Sequence, residues 1–175
     1  LDCGVSASAI QQALSSFKGV HRRFERYQDC RINDDPITLI DDYGHHPREL
    51  QATIDTVRSL TKNKMVMVFQ PHRYSRTQAH YQEFLAVLMQ VDHVILLDIY
   101  AAGELPIASL TSQSFVHSLK KMGHPSAFYA INTDAIMAHC KAVIQPNDWL
   151  VCQGAGSVGQ ICQLLRNDLM QPIPS

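Results

Sequence analysis

Met65-Val66-Met67-Val68-Phe69 decides the fold. A strand with one wet face alternates apolar and polar residues, whereas a strand covered by helices on both faces has no such need. The unbroken run therefore reads as an inner strand of a parallel sheet. Val94-Ile95-Leu96-Leu97 repeats the signature. Working outward, strands are expected near residues 37–42, 65–70, 93–98, 126–130 and 148–153. Helices are expected near 47–60, 77–89, 112–122, 134–143 and 157–167. The helices carry apolar stripes at three- and four-residue spacing, such as Leu50, Ile54 and Val57, or Phe115, Val116, Leu119 and Met122. Five strand-then-helix units imply a doubly wound α/β fold: an open, mostly parallel sheet with helices on both faces and right-handed crossovers.

The rest of the chain bounds this reading. At 175 residues, 46% hydrophobic and 18% charged with a formal net charge of -1, it is a folded domain that is neither disordered nor basic enough to suggest nucleic acid. No apolar run approaches the ~20 residues of a membrane span. Cys3, Cys30, Cys140, Cys152 and Cys162 form no CxxC pair and sit mostly among apolar neighbours, so buried reduced thiols of a cytoplasmic protein are expected. Ile10, Ala13, Leu14 and Phe17 mark an amphipathic helix from Ser6 to Phe17, ended by Gly19. Opening a chain that starts on Leu1, that helix reads as the last of a preceding domain, which places the boundary at 1–20 and 21–175. His21-Arg22-Arg23-Phe24-Glu25-Arg26-Tyr27 reads as a short strand or linker, and the tail after Met170 as frayed.

Ligands of open parallel sheets bind beyond the carboxyl ends of the strands. Four of the five expected strands are followed by unusual clusters: Asp41-Asp42-Tyr43-Gly44-His45-His46-Pro47; Pro71-His72-Arg73-Tyr74-Ser75-Arg76-Thr77; Tyr100-Ala101-Ala102-Gly103-Glu104; and Gly154-Ala155-Gly156-Ser157-Val158-Gly159. Arg73 and Arg76, at a helix entry with Ser75 or Thr77 placed to cap it, make an anion site suited to a carboxylate or phosphate. Asp41 and Asp42 suit Mg²⁺ or a ribose hydroxyl, or else a salt bridge. His45, His46 and His72 suggest a metal, but lack the spacing of a zinc motif and read better as hydrogen-bonding histidines. The GxGxxG comes too late in the chain for a dinucleotide site and reads as a tight turn with close helix packing, leaving a weak nucleotide contact open.

Taken in order, HRRFE at 21–25, DYGHHP at 42–47, FQPHRYSRT at 69–77, YAAGE at 100–104 and QGAG at 153–156 resemble the C-terminal domain of the Mur ligases across nearly the whole chain. The resemblance implies a Rossmann-like amino-acid-binding domain, preceded by a central ATPase domain whose last helix is 1–20, and by an N-terminal domain for the uridine nucleotide. It implies an ATP- and Mg²⁺-dependent ligase, with both cofactors held mainly by the central domain, that joins L-alanine to UDP-N-acetylmuramate through an acyl phosphate in peptidoglycan synthesis. It further implies that Arg73 and Arg76 hold the alanine carboxylate, that Tyr43, His45 and His72 shape the pocket, and that Arg23 and Asp42 approach the nucleotide. No residue is implied as a catalytic group or metal ligand. Leu105 and Ser157 depart from the family pattern, and no GxxxxGK[ST] loop occurs, so the chain alone is expected not to turn over ATP. Two other readings stay open: a self-contained nucleotide- or anion-binding module, and a metal-dependent hydrolase built on the histidines and Asp42.

Overall fold

The computed structural model describes residues 4–16 and 19–169. Six strands form one sheet: β1 (Glu25–Ile32), β2 (Asp35–Asp42), β3 (Met65–Phe69), β4 (His93–Leu96), β5 (Ala127–Tyr129) and β6 (Trp149–Gln153). Their spatial order is β1-β2-β6-β3-β4-β5, parallel throughout except for the β1–β2 pair. Every residue of β3 and β6 is buried, as the unbroken apolar runs require. The helices are α1 (Ala7–Ser16), α2 (Pro47–Leu60), α3 (Tyr74–Ala79), α4 (Tyr81–Leu88), α5 (Ser112–Lys121), α6 (Thr133–Val143) and α7 (Val158–Leu169).

Helices cover both faces of the sheet. Leu50, Ile54 and Val57 of α2, Phe84 and Leu88 of α4 and Phe115 and Leu119 of α5 pack with Ile40, Met67, Leu96 and Val151 on one face. Ile136 and Cys140 of α6 and Cys162 and Leu165 of α7 pack with Leu39, Val68, Ile95 and Leu150 on the other. The helix after β3 and the helix after β6 thus leave these neighbouring strands toward opposite faces, which opens a crevice at their carboxyl ends.

Two expectations change. The segment taken as a short strand or linker becomes β1, an edge strand antiparallel to β2, joined to it through Asn33 (φ 51°) and Asp34 (φ 68°). Consecutive left-handed residues form the hairpin turn whose twist matches the strands, and Asn and Asp tolerate that conformation best after glycine. The helix expected at 77–89 begins earlier and is divided at His80, which leaves helical dihedrals (φ -113°, ψ 21°) between α3 and α4. Asn132 caps α6, its side-chain oxygen accepting from the Ala135 amide at 2.9 Å. Cys30, Cys140, Cys152 and Cys162 are buried free thiols; burial pushes Cys30 up to about 11 and Cys140 to about 12. Cys3, Phe17 and the tail beyond Leu169 lie outside the described residues.

Candidate functional site

The site sits where β2, β3, β4 and β6 end. After β2, Asp42 turns its carboxylate back into the protein: Oδ1 accepts from the Gly44 amide at 2.7 Å and Gln153 Nε2 at 3.0 Å, and Oδ2 accepts from the Phe24 amide at 2.8 Å. This fixes the turn that carries Tyr43 and His45 outward. Gly44 is required there, because a Cβ would meet Gln153 Nε2 and Asp42 Oδ1 at 2.6 and 2.7 Å. His46 then caps α2, its Nδ1 accepting from the Arg48 amide at 3.3 Å, while Glu49 accepts from the His45 and His46 amides at 2.8 and 3.0 Å. These amides hold the Glu49 carboxyl low despite its partial burial.

After β3 the chain passes His72 and enters α3 at Arg73, whose φ of 71° is a left-handed conformation no side chain favours. The strain is held from both sides: the Arg73 amide donates to the Tyr100 carbonyl at 2.8 Å, and the Tyr100 amide donates to the Pro71 carbonyl at 2.8 Å. Loops after β3 and β4 are thereby one piece. Tyr100 stacks on His72 with centroids 5.3 Å apart and planes 13° apart, His72 meets His45 at 5.5 Å, and His45 meets the Tyr43 ring edge-on at 5.5 Å. Four rings from three loops make a wall.

Beside that wall stand the two guanidiniums. Arg76 Nη1 donates to His72 Nδ1 at 3.3 Å, so His72 carries its proton on Nε2. Partial burial, then the nearby His45 ring and the Arg76 and Arg73 guanidiniums, hold His72 below the usual histidine range, which keeps it neutral at physiological pH. Among the described residues, no carboxylate lies within 4.0 Å of Arg73 or Arg76; Glu83, the nearest acid in sequence, pairs with His80 at 2.9 Å instead. An exposed and a half-buried guanidinium without a carboxylate partner on a strained turn have the chemistry to take an anion.

The helix entry itself is already occupied. Ser75 and Thr77 do not cap α3 as expected: Ser75 donates its amide and hydroxyl to Glu104 at 2.9 and 2.6 Å, and Thr77 donates its hydroxyl to the Arg73 carbonyl at 2.7 Å. Glu104, whose carboxyl is held low first by the Ser75 hydroxyl, is the anion at that terminus. The helix terminus is therefore not free for a further anion, which leaves the arginines as the candidate donors.

Of the residues singled out from sequence, Tyr43, His45, His72 and Arg76 come together through ring and side-chain contacts, and Arg73 joins through its main chain. Arg23 stands at the rim with its guanidinium 5.5 Å from the Tyr43 centroid and 3.7 Å from Glu49. Asp42 is only 8% exposed. Asp41 is fully buried against Arg22, Nε to Oδ1 3.1 Å, and burial raises its carboxyl even with that guanidinium beside it. Both aspartates are committed to protein donors, and no group of three or more metal-ligating side chains occurs among the described residues, so the donor set does not fit Mg²⁺. The glycine loop is packed closely on its inner side. Gly154 abuts the Gln70 carbonyl and Gly156 abuts Tyr100 and Gln70, while Gln70 Oε1 accepts from the Val158 amide at 3.0 Å at the start of α7. Tyr100, Gln70 and Gln153 stand in the YAAGE, FQPHRYSRT and QGAG motifs but carry no expected role there; Gln70 follows β3, Gln153 closes β6, and Tyr100 lies in the loop after β4.

The chain is similar to known ligases in sequence and fold. The family model described as "Mur ligase, glutamate ligase domain" matches residues 22–156. A UDP-N-acetylmuramate–L-alanine ligase of Psychrobacter arcticus is 45% identical over 172 residues, covering 96% of this chain and 35% of that protein. The chain thus spans about a third of the length of the curated relatives it matches. The crystal structure of a UDP-N-acetylmuramate-alanine ligase of Thermotoga maritima superposes with a TM-score of 0.71 at 26% identity, over 95% of this chain and 34% of that one. A Mycobacterium tuberculosis folylpolyglutamate synthase solved with ADP shares the fold alone, with a TM-score of 0.64 at 17% identity over 98% of this chain and 37% of that one. No helix among the described residues is long and apolar enough to cross a membrane. The chain belongs to the Mur ligase family, as the C-terminal domain of such an enzyme.

Proposed function

We propose that the chain is the amino-acid-binding domain of a cytoplasmic UDP-N-acetylmuramate:L-alanine ligase. The observation that carries this reading is the pair of guanidiniums, Arg73 and Arg76, beside an aromatic wall with no carboxylate within 4.0 Å of either. An amino-acid carboxylate supplies the missing partner. Its methyl group lies toward Tyr43, His45 and His72, and its nitrogen faces the crevice mouth, where an acyl phosphate formed by other domains is presented.

The nitrogen lone pair attacks the muramoyl carbonyl carbon. The tetrahedral intermediate collapses by breaking the bond to the phosphate oxygen, which leaves with that electron pair, and the nitrogen loses a proton as the amide forms. This chain binds and orients. Neutral His72 adds no charge to the cationic pocket, and its Nδ1 holds Arg76 in place. Exposed Arg23 faces the nucleotide on domain closure, while Asp42 sets the turn between them. ATP and Mg²⁺ belong with the central domain, since the GxxxxGK[ST] loop is absent and the aspartates here are engaged. The open apolar face of α1, with Leu14 67% exposed and Ile10 39%, is where 1–20 would pack on that central domain.

The test uses the full-length protein that carries this chain, supplied with ATP, Mg²⁺ and UDP-N-acetylmuramate. L-Alanine should give phosphate release and a product heavier by one alanine residue. Absence of that product, or preference for a peptide or another amino acid, would contradict the proposal.

A further inference from the structure

The glycine loop accommodates a side chain of this same chain. A Cβ on Gly159 would collide with the guanidinium of Arg22. That guanidinium crosses the first turn of α7, donating from Nε to both Asp41 oxygens at 3.1 and 3.2 Å and from Nη2 to the Gly154 carbonyl at 2.7 Å. It also lies 5.3 Å from the Tyr43 ring centroid. The main chain is held as firmly: the Arg22 amide donates to Glu25 Oε2 at 2.9 Å, and the Arg22 carbonyl accepts from the Tyr43 amide at 2.7 Å. Arg22 (φ 54°) and Phe24 (φ 51°) both adopt left-handed backbone that persists only where surroundings dictate it.

We propose that Arg22 is a positioning residue: a latch that seats the connector before β1 on the carboxyl ends of β2 and β6 and holds Tyr43 in the amino-acid pocket. This rests on the pocket assignment above. Its energetics suit a latch, because separating a buried pair leaves an uncompensated charge, so intermediate positions are disfavoured. Motion of the connector is then confined to the segment before Val20, at Gly19 (φ 84°), because the Val20 carbonyl accepts from the Arg23 amide at 3.0 Å and His21 Nδ1 lies 2.7 Å from Glu25 Oε2. Arg22 thereby couples the connector's position to the shape of the pocket.

Gly159→Ala and Arg22→Lys test this while each keeps a positive side chain at position 22. Ala suits the helical backbone at 159, yet its Cβ displaces the guanidinium; Lys keeps the charge but loses the fork that reaches Gly154. In the full-length enzyme both should raise the L-alanine KM about tenfold, the equivalent of one ordinary hydrogen bond, with the ATP KM unchanged. Hydrogen exchange should show the Tyr43 amide opening about tenfold faster, with α5 and α6 unaffected. Wild-type exchange at Tyr43 overturns the latch. Faster exchange with an unchanged alanine KM overturns its link to the pocket, provided Arg76→Ala still raises that KM. If Arg76→Ala also leaves it unchanged, the pocket assignment fails, and the exchange result alone decides the latch.

Discussion

Replacing Gly154 by alanine should cripple the fold at the point on which the site is built. Gly154 has φ 144°, a backbone that L side chains rarely adopt, and the added Cβ would lie 2.7 Å from the Gln70 carbonyl oxygen and 3.1 Å from Val158 Cγ1. Neither neighbour can step aside easily. The Gln70 amide donates to the Gln153 carbonyl at 3.0 Å, extending the β3–β6 ladder, and the Gly154 amide donates to the Asp42 carbonyl at 3.0 Å. A disfavoured conformation costs about 1–3 kcal/mol and overpacking about 1–3 kcal/mol. Their sum, with partial relaxation, is a loss of about 2–5 kcal/mol, a large share of the ~5–15 kcal/mol that stabilises a typical domain. Urea unfolding of the purified chain, followed by the fluorescence of Trp149 on β6, measures it directly. A loss below about 1 kcal/mol would mean that the loop yields freely, and the tight packing argued for the glycine motif would be refuted.

Asp42→Asn should destabilise the chain by about 2–4 kcal/mol, because an amide nitrogen would face one of three donors that the carboxylate now satisfies; an unchanged urea midpoint would contradict this. His124 is buried and neutral, donating from Nε2 to the Val91 carbonyl at 2.9 Å and accepting the Ser126 amide on Nδ1 at 3.1 Å. Burial lowers its pKa in the fold. The unfolded chain therefore takes the proton first, and the contribution of His124 is complete above the unfolded value of about 6.5 and lost as pH falls from there toward the folded value. His124→Gln, which can keep one donor and one acceptor, should flatten the fall in stability between about pH 7.5 and about pH 5.5; an unaltered fall would count against the assignment.

The parallel sheet was legible because β3 and β4 are covered on both faces, and burial on two sides leaves an unbroken apolar run at 65–69 and 94–97. β1 was not, since it is an edge strand whose register slips between Tyr27 and Cys30, breaking the alternation that would have marked it. The break at His80 has no proline or glycine to announce it. Within the site, residue types that bind anions or cap helices were recognisable beside the ends of the strands. Their partners were not. Arg22 meets Gly154 across 132 residues and Ser75 meets Glu104 across 29, and such pairings follow from sheet order and register, which local patterns do not encode. Asp41 illustrates the consequence: an acid suited by type to a metal or a ribose is instead spent on Arg22.

The anion site is tested most directly by alanine saturation kinetics of the full-length ligase, comparing wild type with Arg73→Ala and Arg76→Ala. A lost charge-assisted hydrogen bond of about 1.5–3 kcal/mol corresponds to a rise of roughly 10- to 150-fold in the L-alanine KM. The ATP KM should stay within about twofold, since that interaction does not involve the nucleotide. An alanine KM equal to wild type in both variants would show that the two guanidiniums do not hold the carboxylate, and the central claim would fall.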